Sequence, residues 1–185
     1  MDVAKYLSEY NKLINSDGAT EKISFLANSF KENSSKGGSL LFFGNGASAS
    51  ISGHAALDFT KQAKIKSYCF HDPALITAYS NDYGFSNSFS RILDSYGNEN
   101  DIVIAVSVSG TSSNIIELFN KARDRDLTTV SFTGKSPNNP VRSNSDFSFW
   151  VDSKAYNIVE SVHHIWITAI VDCVVGKSVY NVSEI

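Results

Sequence analysis

The chain has 185 residues, of which 42% are apolar, enough for one domain with a substantial core. Its 16 basic and 19 acidic residues give a formal net charge of −3, and no run of Lys or Arg occurs, so we expect no nucleic-acid partner. The longest apolar runs, such as 40–43 and 102–106, are far shorter than the roughly 20 residues that span a bilayer, so we expect no membrane anchor and no membrane partner.

The order of apolar patterns predicts an α/β fold. Apolar residues at three-to-four spacing predict N-terminal helices at 2–16 and 20–34, and a continuous apolar run at 40–43 is typical of a strand that is covered on both faces. The same unit recurs, with further strands predicted at 65–70, 102–106, 128–132 and 147–151 and helices at 47–61, 86–95, 112–125 and 156–176. This alternation predicts a three-layer sandwich with a five-stranded parallel sheet, preceded by two N-terminal helices.

Cysteine and proline usage adds two expectations. Cys69 and Cys173 lie about a hundred residues apart in apolar segments, which is more typical of buried thiols in a reducing compartment than of a disulfide framework. We therefore expect a cytoplasmic protein. Two of the three prolines fall in the segment S-P-N-N-P at 136–140, which predicts a flexible loop.

The segment 107–114 follows a predicted strand and opens a predicted helix. Four serines and a threonine lie within its first seven residues. Free backbone N–H groups at a helix N-terminus bind anions, and serine hydroxyls add donors without adding charge. Ordinary helix capping is the alternative, but one serine would satisfy it. Because the sequence has no G-x-x-x-x-G-K-[ST] motif, the expected anion is a phosphate monoester and not a nucleoside triphosphate.

The first strand ends in a glycine-containing loop, G-N-G-A-S-A at 44–49. This loop also fits the loose dinucleotide-binding fingerprint, with Asp72 as a conceivable ribose ligand. A dehydrogenase would need a substrate domain, for which 185 residues leave little room, and the serine-rich loop would have no part in it. The phosphate interpretation is therefore favoured over the dinucleotide one.

Two predicted helices carry polar residues at a spacing of four. His54 and Asp58 share one helical face, and Glu160, His164 and Thr168 share a face of an otherwise apolar last helix. A polar stripe on a buried helix needs partners. The side chains of His54, Asp58, Glu160 and His164 could act in acid–base chemistry or hold a divalent metal such as Zn²⁺. The neighbouring His163 and His164 could instead be hydrogen-bonded core or interface histidines.

Four segments together resemble the sugar-isomerase (SIS) domain family: F-G-N-G-A-S at 43–48, N-D-Y-G-F at 81–85, V-S-V-S-G-T-S at 106–112 and T-G-K at 133–135. Within the family, the sedoheptulose 7-phosphate isomerases, or phosphoheptose isomerases, are most similar. The resemblance implies one flavodoxin-like, Rossmann-like SIS domain over 1–185, with residues 1–35 as helices for oligomerisation and 36–180 as the α/β core. It also implies a homotetramer with interfacial active sites that acts on a phosphorylated sugar.

The resemblance assigns ligand-binding positions residue by residue. Ser107, Ser109 and Ser112 match the family's phosphate-binding serines. The full set of sugar-phosphate positions that it implies is Asn45, Gly46, Ser48, Asp82, Ser107, Ser109, Thr111 and Ser112. Val108 stands where the enzymes usually have Thr, and this lost hydroxyl should weaken binding by only about 1 kcal/mol.

The catalytic positions depart from the family's pattern. The enzymes use a Glu on the helix after the first loop and a His on the last helix, and a further His and a Gln complete a metal site in some members. Here His54 matches that further His, but Asp58 stands at the Glu, Glu160 at the Gln and Thr168 at the catalytic His. Isomerisation through an enediol needs a base and an acid, for which Asp58 or Glu160 and His164 are the candidates. The alternative is a non-catalytic SIS protein that binds a sugar phosphate or a protein partner, as the family's replication-initiator-binding branch does.

Overall fold

The computed structural model describes residues 2–179, in which helices cover both faces of a five-stranded parallel sheet. The strands are β1 (Leu40–Gly44), β2 (Ser67–Cys69), β3 (Ile102–Ser107), β4 (Thr128–Gly134) and β5 (Phe147–Val151), in the order β2-β1-β3-β4-β5. The helices are α1 (Val3–Ile14), α2 (Ala19–Ser35), α3 (Ala47–Lys61), α4 (Pro73–Tyr83), α5 (Phe85–Tyr96), α6 (Ser113–Asp124), α7 (Pro140–Ser143) and α8 (Tyr156–Val175). The predicted three-layer α/β fold is confirmed. The predicted domain limits at 1, 180 and 185 lie outside the described residues.

The central strands explain the continuous apolar runs in the sequence. Every residue of β1 and β3 is buried, because helices pack on both faces of the sheet. Side chains alternate along a strand, so Phe42 packs against Phe59 in the layer formed by α1, α2, α3 and α8. The next residue, Phe43, packs against Phe70 and Phe89 on the opposite face, beside α5 and α6.

Helix α4 was not predicted, because none of its residues is buried and it lacks a strong apolar stripe. Its start is nevertheless encoded locally. Pro73 occupies the first turn, where a missing N–H costs nothing, and the Asp72 carboxylate accepts hydrogen bonds from the backbone N–H groups of Ala74 and Leu75 at 2.9 and 3.1 Å. This capping role explains Asp72 without a ribose ligand, and it removes the acidic residue on which the dinucleotide interpretation depended.

The proline-containing segment at 136–140 is a loop as far as Asn139, as predicted, and it is anchored at its C-terminal end. Asn139 is 1% exposed, and its side chain caps α7 by accepting a hydrogen bond from the Arg142 N–H at 2.9 Å. Its amide nitrogen also donates to Thr133 Oγ1 and to the Ser136 carbonyl. Three bonds to one buried side chain fix this end of the segment.

One further expectation needs correction. Cys69 is partly buried and Cys173 is exposed, so the prediction of two buried thiols is wrong for Cys173.

Helix α8 has the length and hydropathy of a membrane-crossing helix, although half of that stretch is buried inside the fold, and the buried core helix of a globular protein has the same properties. It lies against α2, α3 and the sheet, and it brings Glu160 and His164 to the site described next.

Candidate active site

A polar cavity of about 130 Å³ lies at the carboxyl ends of β1 and β3. Its walls come from the β1–α3 loop, the β3–α6 loop and the first turns of α8. Six of the predicted site residues line it: Asn45, Ser48, Ser107, Ser109, Ser112 and Glu160. The structure therefore joins residues that are more than a hundred positions apart in the sequence, as expected for ligand sites of open parallel sheets.

Glycines allow the β1–α3 loop to turn directly from strand to helix. A Cβ atom at Gly44 would lie 2.7 Å from the backbone of Ser48, so only glycine lets the helix start this close to the strand end. Gly46 adopts a φ of +56° just before α3. The tight turn leaves Ser48 buried in the cavity wall, whereas Gly46 does not line the cavity.

The serine hydroxyls of the β3–α6 loop are not used for helix capping. Ser112 occupies the N-cap position of α6, but its side chain makes no capping hydrogen bond. Ser109 Oγ accepts a hydrogen bond from the Thr111 N–H at 3.2 Å, which leaves its own hydroxyl hydrogen free to donate. Of the two sequence interpretations, this geometry favours an anion site over ordinary capping.

Besides Gly46, two predicted ligand-binding residues do not line the cavity. Thr111 is exposed, and its backbone N–H donates the hydrogen bond to Ser109 Oγ described above. Asp82 is exposed near the end of α4, where its carboxylate accepts a hydrogen bond from the Asn81 side chain at 2.9 Å. Within one protomer, Asp82 therefore does not contribute to the lining of the cavity.

Among the described residues, Glu160 is the only one whose carboxylate lines the cavity. It is half-buried, and this burial raises the pKa of its carboxyl above the ordinary value, because a low-dielectric environment disfavours the charged form. A raised pKa makes the carboxylate a stronger base, which favours a role in proton transfer. Glu160 is thus the predicted catalytic residue whose position agrees best with a direct role.

His164 lies one helical turn further along α8 and forms a chain of contacts with α3. His164 Nε2 lies 2.9 Å from His54 Nδ1, and His54 Nε2 lies 3.0 Å from Asp58 Oδ2. Since a carboxylate only accepts, a neutral His54 donates from Nε2 and accepts from His164 at Nδ1. His164 then keeps the lone pair on its own Nδ1. Burial, followed by the nearby His54, lowers the pKa of His164, so its neutral form is favoured.

Asp58 is occupied by partners on both oxygens. Its Oδ1 accepts from Gln62 Nε2 at 2.9 Å, and its Oδ2 pairs with His54. Thr168, at the position of the family's catalytic histidine, donates its hydroxyl to the carbonyl oxygens of His164 and Ile165 within α8. Neither Asp58 nor Thr168 lines the cavity.

Comparisons with known proteins agree with this geometry. The sequence profile of the SIS domain family matches residues 5–134. The chain belongs to the SIS domain family. Phosphoheptose isomerase of Fusobacterium nucleatum is 32% identical over 159 residues, which cover 83% of this chain and 79% of the relative, and that of Helicobacter pylori strain P12 is 31% identical over 143 residues, 74% of each. The solved phosphoheptose isomerase of Neisseria gonorrhoeae superposes with a TM-score of 0.84 at 26% identity, covering 93% of this chain and 97% of that one.

The predicted four-ligand metal set does not converge in this SIS domain. In a metal site, one nitrogen of each histidine and the donor atoms of the other ligands all face the metal ion. His54 instead directs one ring nitrogen to His164 and the other to Asp58. Glu160 lines the cavity, and the other three do not. Within residues 2–179, no group of three or more His, Cys, Asp and Glu side chains has the arrangement of a metal site.

Three residues with roles around the cavity had no assignment from the sequence. Tyr156 lines the cavity, and its hydroxyl accepts a hydrogen bond from Lys135 Nζ at 2.9 Å. Lys135 belongs to the T-G-K segment, which was the available signal for it. Asn114 is fully buried and pairs with Asn45.

His163 does not line the cavity, and it agrees with the alternative of a core histidine that the sequence left open. It is fully buried beside the Thr133 carbonyl, and burial lowers its pKa to about 4.

Proposed function

We propose that this SIS domain is an aldose–ketose isomerase of phosphorylated sugars, with sedoheptulose 7-phosphate as its substrate. One observation carries the proposal: a single cavity combines serine hydroxyls that are not used for capping, the N-terminus of α6 and a desolvated carboxylate, Glu160. The first two bind a phosphate, and the third can move a proton. The similarity to phosphoheptose isomerases over most of both chains supports the choice of substrate.

The phosphate is held without a cation in the cavity lining. Ser107, Ser109 and Ser112 donate their hydroxyl hydrogens, and the backbone N–H groups of the first turn of α6, which begins directly after Ser112, add further donors. Neutral donors of this kind bind a dianion while leaving the adjacent Glu160 free of a competing ion pair. The sugar chain then extends from the serine loop past Glu160.

Glu160 and His164 share the proton transfers in this proposal. Glu160 takes a proton from C1 of the ketose, which leaves an enediolate across C1 and C2, and it returns the proton to C2. In step with this, His164, which lies one turn of α8 beyond the lining residue Glu160, accepts the proton of the C1 hydroxyl at Nδ1 and delivers one to the oxygen on C2, so that an aldehyde forms at C1 and no proton is gained or lost. Asp58 acts as a positioning residue, because both of its oxygens are already engaged by His54 and Gln62.

We also propose that the chain assembles into a homotetramer whose active sites lie between subunits. Large apolar side chains are exposed on several elements: Val3, Leu7, Leu57, Tyr83, Phe85 and Ile165. Asp82 lies on a helix without buried residues, and in an assembly it would reach the cavity of a neighbouring subunit. Light scattering on the purified chain tests the assembly, and the expected mass is that of four chains.

The proposed reaction requires no cofactor. We place it in the cytoplasm, where cysteine thiols remain reduced and sugar phosphates are available. A bound Zn²⁺ is the alternative to metal-free catalysis. It would require His54, Asp58, Glu160 and His164 to turn towards one point, and no step of the proposed reaction depends on it. Assays with added Zn²⁺ and with a chelator distinguish the two cases.

To test the isomerase proposal, the purified protein is incubated with sedoheptulose 7-phosphate in deuterated water, and the sugar is followed by NMR. Deuterium incorporation next to the carbonyl, together with formation of the aldose, is expected. Glu160→Gln should reduce both by at least a hundredfold, while Glu99→Gln, at an exposed turn, should change neither. Saturable binding without exchange, with this and with other ketose phosphates, would refute the isomerase proposal.

A non-catalytic sugar-phosphate-binding protein is the second candidate function. Two observations favour it: Asp58 has both oxygens engaged, and Thr168 offers no acid or base at the position of the family's catalytic histidine. Under this alternative, His164→Ala would leave binding of the sugar phosphate unchanged and there would be no turnover to lose. Under the isomerase proposal, the same variant keeps binding but loses turnover.

A further inference from the structure

Asn45 and Asn114 form a reciprocal pair of side-chain amides beside the cavity. Asn45 Nδ2 donates to Asn114 Oδ1, and Asn114 Nδ2 donates to Asn45 Oδ1, both at 3.0 Å. Asn45 belongs to the β1–α3 loop and Asn114 to the first turn of α6. The pair therefore joins the two loops that supply the serines of the cavity.

We infer that this amide pair sets the separation of the two phosphate-binding loops, so that Asn45 and Asn114 are positioning residues for sugar-phosphate binding. The inference rests on the proposed function for its ligand, and it adds to that function residues that hold the site open at the right width. Asn114 does not line the cavity and so acts through its partner.

The hydrogen-bond pattern shows why the distance between the two loops depends on this pair. The ladder between β1 and β3 ends at Gly44 and Val106, just before both loops begin. Beyond that point, the two amide bonds are the only hydrogen bonds that the described residues form between the loops at 45–49 and 107–114. Without them, the two loops would be held only by packing.

Burial makes the pair sensitive to a change in either partner. Asn114 has no exposed surface, so an unmatched amide or carboxylate there would lack water as a substitute partner. The β3–α6 loop is fixed on its other side, because the Val141 N–H donates to the Gly110 carbonyl at 3.1 Å. Movement after loss of the pair therefore occurs between the loops and alters the cavity between them.

The decisive variant is Asn114→Asp. As a carboxylate it only accepts hydrogen bonds, and one of its oxygens would face Asn45 Oδ1. As a protonated acid it again offers one donor and one acceptor, which matches the original amide. Asn120→Asp is the control, because it adds the same charge on the exposed face of the same helix.

Calorimetric titration with sedoheptulose 7-phosphate at pH 8 and pH 5 measures the effect. We expect Asn114→Asp to raise Kd at least tenfold over the wild type at pH 8 and to approach the wild-type value at pH 5, while Asn120→Asp follows the wild type at both. A merely structural defect would not be reversed by protonation. Equal Kd values for the two variants at pH 8 would overturn the inference.

A second measurement separates this inference from the proposed function. Hydrogen–deuterium exchange of the ligand-free protein at 107–114 and 44–49 should be faster in Asn114→Asp than in Asn120→Asp, whether or not the sugar phosphate is the ligand. Unchanged exchange in both loops would refute the positioning role. If Asn114→Asp does not fold, Asn45→Asp makes the same change at a half-buried site, and the opposite loop is then the segment to follow.

Discussion

Replacing Gly110 by alanine tests the construction of the phosphate loop most directly. Gly110 has a φ of +62°, and a Cβ atom there would lie 1.9 Å from Asn139 Oδ1. The backbone conformation alone costs a non-glycine residue about 1 to 2 kcal/mol. Asn139 cannot move aside cheaply, because its buried amide makes three hydrogen bonds, each of which contributes about 1 kcal/mol.

The expected cost of Gly110→Ala is therefore about 3 to 5 kcal/mol of unfolding free energy, unless the loop itself shifts. A shift would displace Ser109, the neighbouring phosphate ligand of the proposed site. Urea denaturation and calorimetric titration with sedoheptulose 7-phosphate measure the two consequences. We expect a loss of stability, a loss of affinity of tenfold or more, or both.

Gly37→Ala is the matched control for backbone strain. Gly37 also has a positive φ, +87°, but a Cβ atom there would meet nothing within 4 Å. Its substitution should cost about 1 kcal/mol and leave the affinity unchanged. If Gly110→Ala lost no more stability than Gly37→Ala and bound the ligand with the wild-type Kd, the contact between Gly110 and Asn139 would have no role in the site.

Three further predictions concern other parts of the fold. His163 has a pKa of about 4 in the fold against an ordinary 6.5, so the unfolded chain binds a proton at this residue at a higher pH than the folded chain does. The contribution of His163 to the unfolding free energy should be full above pH 6.5 and fall by up to about 3 kcal/mol towards pH 4. Urea titrations should show a weaker decline for His163→Leu. The buried Asp101 accepts two backbone hydrogen bonds at 2.8 Å, so Asp101→Ala should lower the unfolding free energy by about 2 to 4 kcal/mol, and wild-type stability in denaturant would contradict this. Tyr156→Phe removes the acceptor of the Lys135 ammonium at the cavity wall, and kinetics should show a several-fold higher KM with kcat within twofold, whereas a fall in kcat alone would count against a binding role.

Strong, continuous signals in the sequence were sufficient to predict the layers of the fold. The run at 40–43 and the one at 102–106 predict β1 and β3 to within one residue, because both strands are buried on both faces. Strand β2 pairs only over Ser67–Cys69, while the apolar signal covers 65–70, since Ile65 and Phe70 are buried outside the ladder. An apolar pattern reports burial, and it marks a strand end only where burial and pairing coincide.

The candidate site, like the fold, was predictable from the sequence only in part. The serines of the β3–α6 loop were predictable, because a cluster of hydroxyls at a strand end has few structural uses. The partners of Asn45 and Asp58 were not, since the sequence does not show which polar side chains pair across elements. The spacing of His54 and Asp58 correctly places them on one face of α3, but their contact with His164 depends on how α3 packs against α8.

The substitutions at the catalytic positions are easier to understand together than one at a time. Compared with the pattern that the family resemblance implies, a histidine at 164 in place of one at 168 lies one helical turn, about 6 Å along α8, closer to Glu160. At this place the imidazole meets His54, which in turn meets Asp58, so the shorter carboxylate keeps a partner within 3.0 Å. The cavity meanwhile gains a carboxylate, Glu160, whose pKa is raised by burial. This coupling between α3 and α8 supports the proposal of an altered catalytic arrangement.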